Sequence, residues 1–232
     1  MTLLEGIASA RLRIDEAAAA AGRADTVSLQ LAVKTRTPDE CREAAEGLAS
    51  LGLPVLLGHN RVQEATATAP AIREVPGSRI SLIGPLQTNK INRALACVDA
   101  IDTIDSPGLV DAIDARAQRI IDVLVQVNVS AEPSKHGVRP DDAPRLVDAV
   151  VESEHLRLAG FMTVGLNSPV EADVRAAYAD LRRLRDDTAD RVGVATADLD
   201  LSMGMSGDLE WAVAEGATIV RLGTAVFGPR RP

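Results

Sequence analysis

The stretch SLQLAVKTRTPDE, residues 28–40, decides the fold, because it joins the pattern of a strand directly to the start of a helix. Residues 28–33 form a short apolar run with the alternation typical of a buried strand. Thr37 then occupies a favourable N-cap position, Pro38 fits the first helical turn, and Glu40 completes a capping box. The stretch therefore predicts one strand followed by one helix.

The same order recurs along the whole chain. After an opening helix around residues 4–21, the predicted strands cover residues 28–33, 55–57, 79–83, 100–104, 122–127, 156–163, 198–201 and 218–222. No linker-like tract interrupts the pattern, so we expect one domain over residues 1–232. Eight such units predict an α/β fold of the (β/α)8 TIM-barrel type with an additional N-terminal helix, in preference to an open doubly wound sheet.

Composition excludes several classes of protein. The chain has 33 acidic against 25 basic residues and only 2% aromatic residues, which argues against a nucleic-acid-binding surface. No apolar run approaches the roughly 18 residues that a membrane span requires. The start of the chain lacks a signal-peptide pattern, and Cys41 and Cys97 lack paired spacing, so we expect a cytoplasmic protein with reduced thiols. The three histidines lie on different units, and no metal site is predicted.

Lysine is unusually rare. Only Lys34, Lys90 and Lys135 are lysines, whereas the other 22 basic residues are arginines. A reaction that needs an amine nucleophile can use lysine but not arginine, because the guanidinium stays protonated. Three ordinary surface lysines are the open alternative.

The strand alternation places a few polar side chains at one end of the barrel. Lys34, Asn128 and Arg221 fall on the inward side at the carboxyl ends of the first, fifth and eighth strands. This rim is where barrel proteins bind their ligands. A buried amine and guanidinium need compensation, which indicates an anionic or polar ligand, or, alternatively, ion pairs with Asp200 or Asp105.

The last two strand–helix loops have the composition of a phosphate site. Ser206 follows a glycine-containing loop and stands at the start of a helix predicted to run through Trp211 to Glu215, and Gly223 and Thr224 follow the last strand. Glycines allow close backbone approach to a phosphate, and both hydroxyls can donate to it. An ordinary N-cap is the alternative for Ser206.

An inward lysine beside a phosphate site suggests a phosphorylated aldehyde held as a Schiff base. Pyridoxal 5′-phosphate (PLP) meets this description, with Lys34 bonded to the aldehyde and Arg221 facing the pyridine nitrogen. Ser206, Gly223 and Thr224 would hold the phosphate. A cationic partner disfavours protonation of the ring nitrogen and weakens the ring as an electron sink.

Several longer segments resemble one family. They cover residues 31–35, 58–64, 83–90, 125–128, 134–137, 201–206 and 220–228. The chain is identified from them as similar to the PLP homeostasis proteins, single-domain relatives of the alanine racemase barrel (fold type III), nearly end to end. The resemblance implies the same roles for Lys34, Arg221 and the phosphate loops, and it places Asn60 beside the cofactor.

The resemblance also implies a function. It indicates a non-catalytic protein that binds PLP reversibly and buffers it or delivers it to PLP-dependent apo-enzymes. Separately, we expect the protein to be a monomer. Three departures from the family pattern lie near the predicted site: one extra residue between Lys34 and Pro38, His59 in place of a glutamate, and Pro85 in place of a histidine.

Two enzymatic alternatives remain. An amino-acid racemase needs two bases on opposite faces of the substrate, and Tyr178 is expected to be a packing residue rather than one of them. A lysine-dependent aldolase needs an acid and a base beside Lys34, which Asp105 and Asp200 could supply.

Overall fold

The computed structural model describes residues 2–130, 132 and 136–228. Lys135 lies outside the described residues. Within the described chain, parallel strands close into a barrel in sequence order. They are β1 (Ser28–Ala32), β2 (Leu56–His59), β3 (Arg79–Leu82), β4 (Ala100–Ile104), β5 (Ile121–Gln126), β6 (Leu156–Met162), β7 (Asp200–Ser202) and β8 (Ile219–Leu222).

Helices alternate with these strands. They are α1 (Leu3–Ala20), α2 (Pro38–Ser50), α3 (Val62–Ile72), α4 (Ile91–Leu95), α5 (Pro107–Asp114), α6 (Ala143–Val151), α7 (Glu171–Val192), α8 (Leu209–Ala214) and α9 (Thr224–Phe227). The predicted (β/α)8 barrel with an extra N-terminal helix is confirmed. The capping box predicted at Thr37 is also present, because the side chains and amides of Thr37 and Glu40 bond reciprocally.

Alternation along the strands divides the core into two environments. Leu29, Leu31 and Val33 face the surrounding helices and are almost fully buried. Burying one such side chain contributes about 1.5–3 kcal/mol, so this layer is the main source of stability. The inward set includes Gln30 and Arg221, which are also buried although they are polar.

The amino-terminal end of the barrel is acidic. A cavity of about 170 Å³ opens there, lined in part by Asp102, Asp122 and Asp200. Asp122 forms ion pairs with Arg79 and Arg157. None of the helices in the described ranges is long and apolar enough to cross a bilayer.

The N-terminal helix packs against the end of the chain. A Cβ atom on Gly6 would lie 2.6 Å from the carbonyl oxygen of Val226, so only glycine allows this approach of α1 to α9. Ile7 and Ile14 are fully buried on the same helix. Through these contacts α1 lies beside the loops that follow β7 and β8.

Candidate functional site

A cavity of about 280 Å³ opens at the carboxyl end of the barrel. This volume lies near the lower end of the range of ligand pockets, roughly 300–1,000 Å³. All six residues predicted to bind the cofactor, including Lys34, line this cavity. It is lined by Ala32, Lys34, Arg36, Asn60, Ile83, Met162, Val164, Met205, Ser206, Arg221, Gly223, Thr224, Phe227 and Gly228.

Lys34 lies two residues beyond the end of β1 and keeps the inward alternation of Gln30 and Ala32. Its side chain has no hydrogen bond or ion pair with any residue in the described ranges. The predicted alternative, in which Asp105 or Asp200 pairs with Lys34, is therefore wrong. A half-buried amine that has no partner among the described residues is available to a ligand.

Arg221 is buried beneath Lys34 and is fixed by oxygen atoms of the barrel wall. Its Nη1 donates to the carbonyl oxygen of Ser202 at 2.6 Å and to Ser202 Oγ at 2.8 Å, and its Nη2 donates to the carbonyl oxygen of Thr163 at 2.7 Å. Burial lowers the pKa of Arg221, while the negative charge of Asp102 opposes this shift. The guanidinium remains a cation with a fixed orientation.

The two predicted phosphate loops meet at the cavity. Neither the Ser206 hydroxyl nor the Thr224 hydroxyl bonds to another described residue. A Cβ atom on Gly223 would lie 3.1 Å from the carbonyl oxygen of Ala32, so glycine keeps β8 close to β1 there. These loops therefore leave two hydroxyl donors free beside the Lys34 amine.

The predicted helix start at Ser206 is wrong. Helix α8 begins at Leu209, and Ser206 lies in the preceding turn. The reason is that Asp208 Oδ1 accepts a hydrogen bond of 2.7 Å from the Met205 amide and closes this turn. From α1, Arg13 Nη1 donates to the Ser206 carbonyl oxygen at 2.9 Å. The Ser206 loop is thus held from two sides.

Asn60 lines the cavity, as predicted. His59 and Pro85, which depart from the family pattern, do not line it. His59 faces α3 and is fully buried, with its Nε2 3.1 Å from Thr68 Oγ1. Burial lowers the pKa of His59 to about 4. Pro85 is exposed, and Ile83 forms the cavity wall on that side. Thus neither His59 nor Pro85 lines the cavity.

Other predicted residues lie elsewhere. Asn128 Nδ2 donates to the Glu132 carbonyl oxygen at 2.9 Å, and Asn128 does not line the cavity. Asp200 lines the opposite end of the barrel, and Asp105 is outside the cavity lining. The acid and base of an aldolase are therefore not brought to Lys34.

Part of the cavity lining was not predicted from the sequence. Met162 ends β6 on the inward side, so strand alternation could have identified it. Met205 and Phe227 lie in the predicted phosphate loops and were not assigned. Strand alternation could not have identified Arg36, because this residue lies beyond the strand in an irregular loop. The described residues contain no group of three or more His, Cys, Asp or Glu side chains suited to a metal ion.

Known proteins are similar to this chain in sequence and in fold. Residues 13–231 match the alanine racemase N-terminal domain family, which defines the class of the fold. Proteins named pyridoxal phosphate homeostasis protein are similar throughout: that of Aquifex aeolicus is 37% identical over 100% of both chains. That of Pseudomonas aeruginosa is 38% identical over 99% of this chain and 96% of its own. The chain belongs to the pyridoxal phosphate homeostasis protein family.

A solved structure of similar sequence has the same architecture. PipY of Synechococcus elongatus PCC7942, determined with PLP bound, has a TM-score of 0.80 and 29% sequence identity to this chain. The match covers 98% of this chain and 100% of PipY.

Proposed function

We propose that this protein binds PLP reversibly at the carboxyl end of its barrel and acts, without catalysing a reaction, in cytoplasmic PLP homeostasis. In this role it is a monomer that buffers the cofactor or delivers it to PLP-dependent apo-enzymes. The observation that carries the proposal is the unpaired Lys34 amine, which shares one cavity with the Arg221 guanidinium and the free hydroxyls of Ser206 and Thr224.

The residues present fit the chemical groups of PLP. Lys34 would hold the aldehyde carbon covalently, and Ser206, Gly223 and Thr224 would hold the phosphate. Arg221 would face the ring nitrogen as a hydrogen-bond donor. Ile83 and Met162 provide an apolar wall for an aromatic ring, and Asn60 provides a polar edge. The family membership and the PLP-bound PipY structure support the same ligand.

The cavity favours storage over catalysis. When bound, PLP supplies an electrophilic aldehyde and a ring that can accept electron density. The fixed positive charge of Arg221 disfavours a proton on the ring nitrogen, which limits that electron acceptance. Among the described residues that line the cavity, the ionisable side chains are Lys34, Arg36 and Arg221. The lining therefore offers no carboxylate, imidazole or phenol as a second acid–base group.

Visible absorbance tests the proposal. Adding PLP to the purified protein should produce a band that borohydride reduction removes, and peptide mapping should locate the label on Lys34. The Lys34→Ala variant should remain folded by circular dichroism and lose the label, while the matched Lys90→Ala control should keep it. A label retained by Lys34→Ala would contradict the assignment. Turnover of alanine or serine in a racemase assay would contradict the non-catalytic role.

A further inference from the structure

The loop after β1 has an unusual backbone. Thr35 has a φ of 62°, and it is the one non-glycine residue with positive φ in the described part of the chain. A β-branched side chain is disfavoured in this conformation, so the surrounding contacts must impose it. Thr35 separates Lys34 from Arg36, and both of these side chains line the cavity while Thr35 itself is exposed. The turn thus brings a second basic side chain to the site.

Arg36 is held in place but has few hydrogen-bond partners. Its side chain is 11% exposed, and its Cζ lies 4.8 Å from the centre of the Phe227 ring. In the described chain, its only ionic contact is 3.5 Å between Nη1 and Glu40 Oε1, which is at the limit of a hydrogen bond. A guanidinium has five donors, so most of those of Arg36 are left for another acceptor.

The position of Arg36 indicates which acceptor its free donors would meet. Strand β1 pairs directly with β8, with Leu31 opposite Leu222, so the loops that follow these strands are neighbours. Phe227, on which Arg36 packs, belongs to the helix that begins at Thr224. Arg36 therefore lies beside the Gly223–Thr224 loop, where the proposed function places a phosphate.

The charges of the lining agree with this position. Lys34, Arg36 and Arg221 are its three basic side chains, and its described residues include no carboxylate. Lys34 is assigned to the aldehyde, and Arg221 is bound to Ser202 and Thr163 deeper in the barrel. Arg36 is the remaining cation for a dianionic group at the mouth.

We propose that Arg36 binds the phosphate of the ligand and sets the preference of the site for phosphorylated over unphosphorylated pyridoxal. This inference rests on the proposed function, since it assigns one residue to the phosphate of PLP. The planar guanidinium can donate two parallel hydrogen bonds to phosphate oxygens, whereas a lysine ammonium acts as a point charge.

Parallel titrations with PLP and with pyridoxal test the inference. The Arg36→Gln variant should bind PLP about tenfold to a hundredfold more weakly and bind pyridoxal unchanged, because hydrogen bonds between charged groups contribute in this range. Arg36→Lys should lose part of the PLP affinity and none of the pyridoxal affinity. The matched control is Arg42→Gln, which removes an arginine from the exposed side of α2 and should change neither affinity.

Other results of the titrations would overturn either the inference about Arg36 or the proposed function. Equal weakening of both ligands in Arg36→Gln would show that Arg36 only supports the loop, and unchanged binding of both would show that it contacts neither; either result overturns the inference. If Arg36→Gln fails to fold, Arg36→Lys decides by the same comparison. Failure of the wild-type protein to form the PLP band would instead refute the proposed function, since that measurement does not involve a change at Arg36.

Discussion

The hydroxyl of Tyr178 on α7 donates a hydrogen bond of 2.6 Å to Asp208 Oδ2, directly behind the loop that carries Ser206. The other carboxylate oxygen of Asp208 accepts from the Met205 amide. Burial raises the pKa of Tyr178, so the phenol stays protonated and remains a donor. This pair links a helix on the outside of the barrel to the geometry of the proposed phosphate loop.

Removing this hydroxyl should loosen the loop. Tyr178→Phe should lower the free energy of unfolding by about 1–3 kcal/mol, because a hydrogen bond to a charged group is lost while Asp208 stays half-buried. Chemical denaturation of Tyr178→Phe, Asp208→Asn and the double variant measures the coupling between the two residues. Additive losses in the double variant would show that the hydrogen bond does not stabilise the loop.

The two free hydroxyls should hold the phosphate. Replacing Ser206 and Thr224 with Ala together should weaken PLP retention by about tenfold or more, since each can donate to a charged acceptor. Borohydride labelling of Lys34 by pyridoxal should be unchanged, because the amine does the bonding. Dialysis followed by absorbance measures retention, with the exposed Thr196→Ala as the control. Equal retention by the double variant and wild type would count against the assignment.

His59 should make the protein sensitive to acid. Thr68 Oγ1 donates to the Glu64 carbonyl oxygen, so His59 Nε2 carries the proton and its buried Nδ1 has no partner among the described residues. The pKa of His59 is about 4 in the folded protein, below its ordinary value near 6.5. The unfolded chain therefore takes up the proton first, and stability falls as the pH drops from about 6.5 to 4.

The His59→Gln variant measures this contribution. The free energy of unfolding is measured at pH 7 and at pH 4.5 for both proteins. The decrease between these two pH values should be about 2–3 kcal/mol smaller in the variant than in wild type. If the free energy of unfolding falls equally with pH in the variant and in wild type, His59 is not the group that causes the loss of stability in acid.

Asp102 should make the protein less stable as the pH rises, which is the opposite of the effect of His59. Burial raises its pKa to about 6, although Arg221 and a hydrogen bond from Gln30 favour the charged form. A carboxyl whose pKa is raised on folding binds its proton more tightly in the folded state. Its contribution is therefore most favourable below about pH 4 and declines as the pH rises to about 6.

Asp102→Asn should accordingly stabilise the protein more at pH 7.5 than at pH 4.5, with a difference of about 2 kcal/mol between the two pH values. Thermal or chemical unfolding at both pH values measures it. The exposed Asp141→Asn variant is the matched control and should show no such difference. A larger gain at pH 4.5 than at pH 7.5 would reverse the assigned sign.

The recurring order of strand and helix was sufficient to predict the barrel, and strand alternation predicted part of the candidate site. It placed Lys34 and Arg221 on the inward side because side-chain direction in a strand depends only on residue parity. It gave β7 as residues 198–201, whereas a 3₁₀ turn at Thr196–Asp198 delays that strand to Asp200. The start of a strand depends on the turn before it, and the alternation of side chains gives no information about that turn.

Loops were predicted less well, for identifiable reasons. Ser206 had the composition of an N-cap, but Asp208 Oδ1 accepts from the Met205 amide and closes a turn around Ser206, and the helix begins only at Leu209. The direction of Arg36 depends on the φ of Thr35, which no pattern of residue types reveals. Asn128 had the correct parity, yet its side chain is engaged within its own loop.

The barrel separates its internal charges along its axis. Lys34, Arg36 and Arg221 border the carboxyl end. The amino end is bordered by three aspartates and one arginine, namely Asp102, Asp122, Asp200 and Arg79, and therefore has a negative excess. The whole chain carries a net charge of −8, so its surface at large repels anions. A diffusing anion is therefore guided toward one mouth of the barrel and away from the other, and added salt should slow its capture by screening this field.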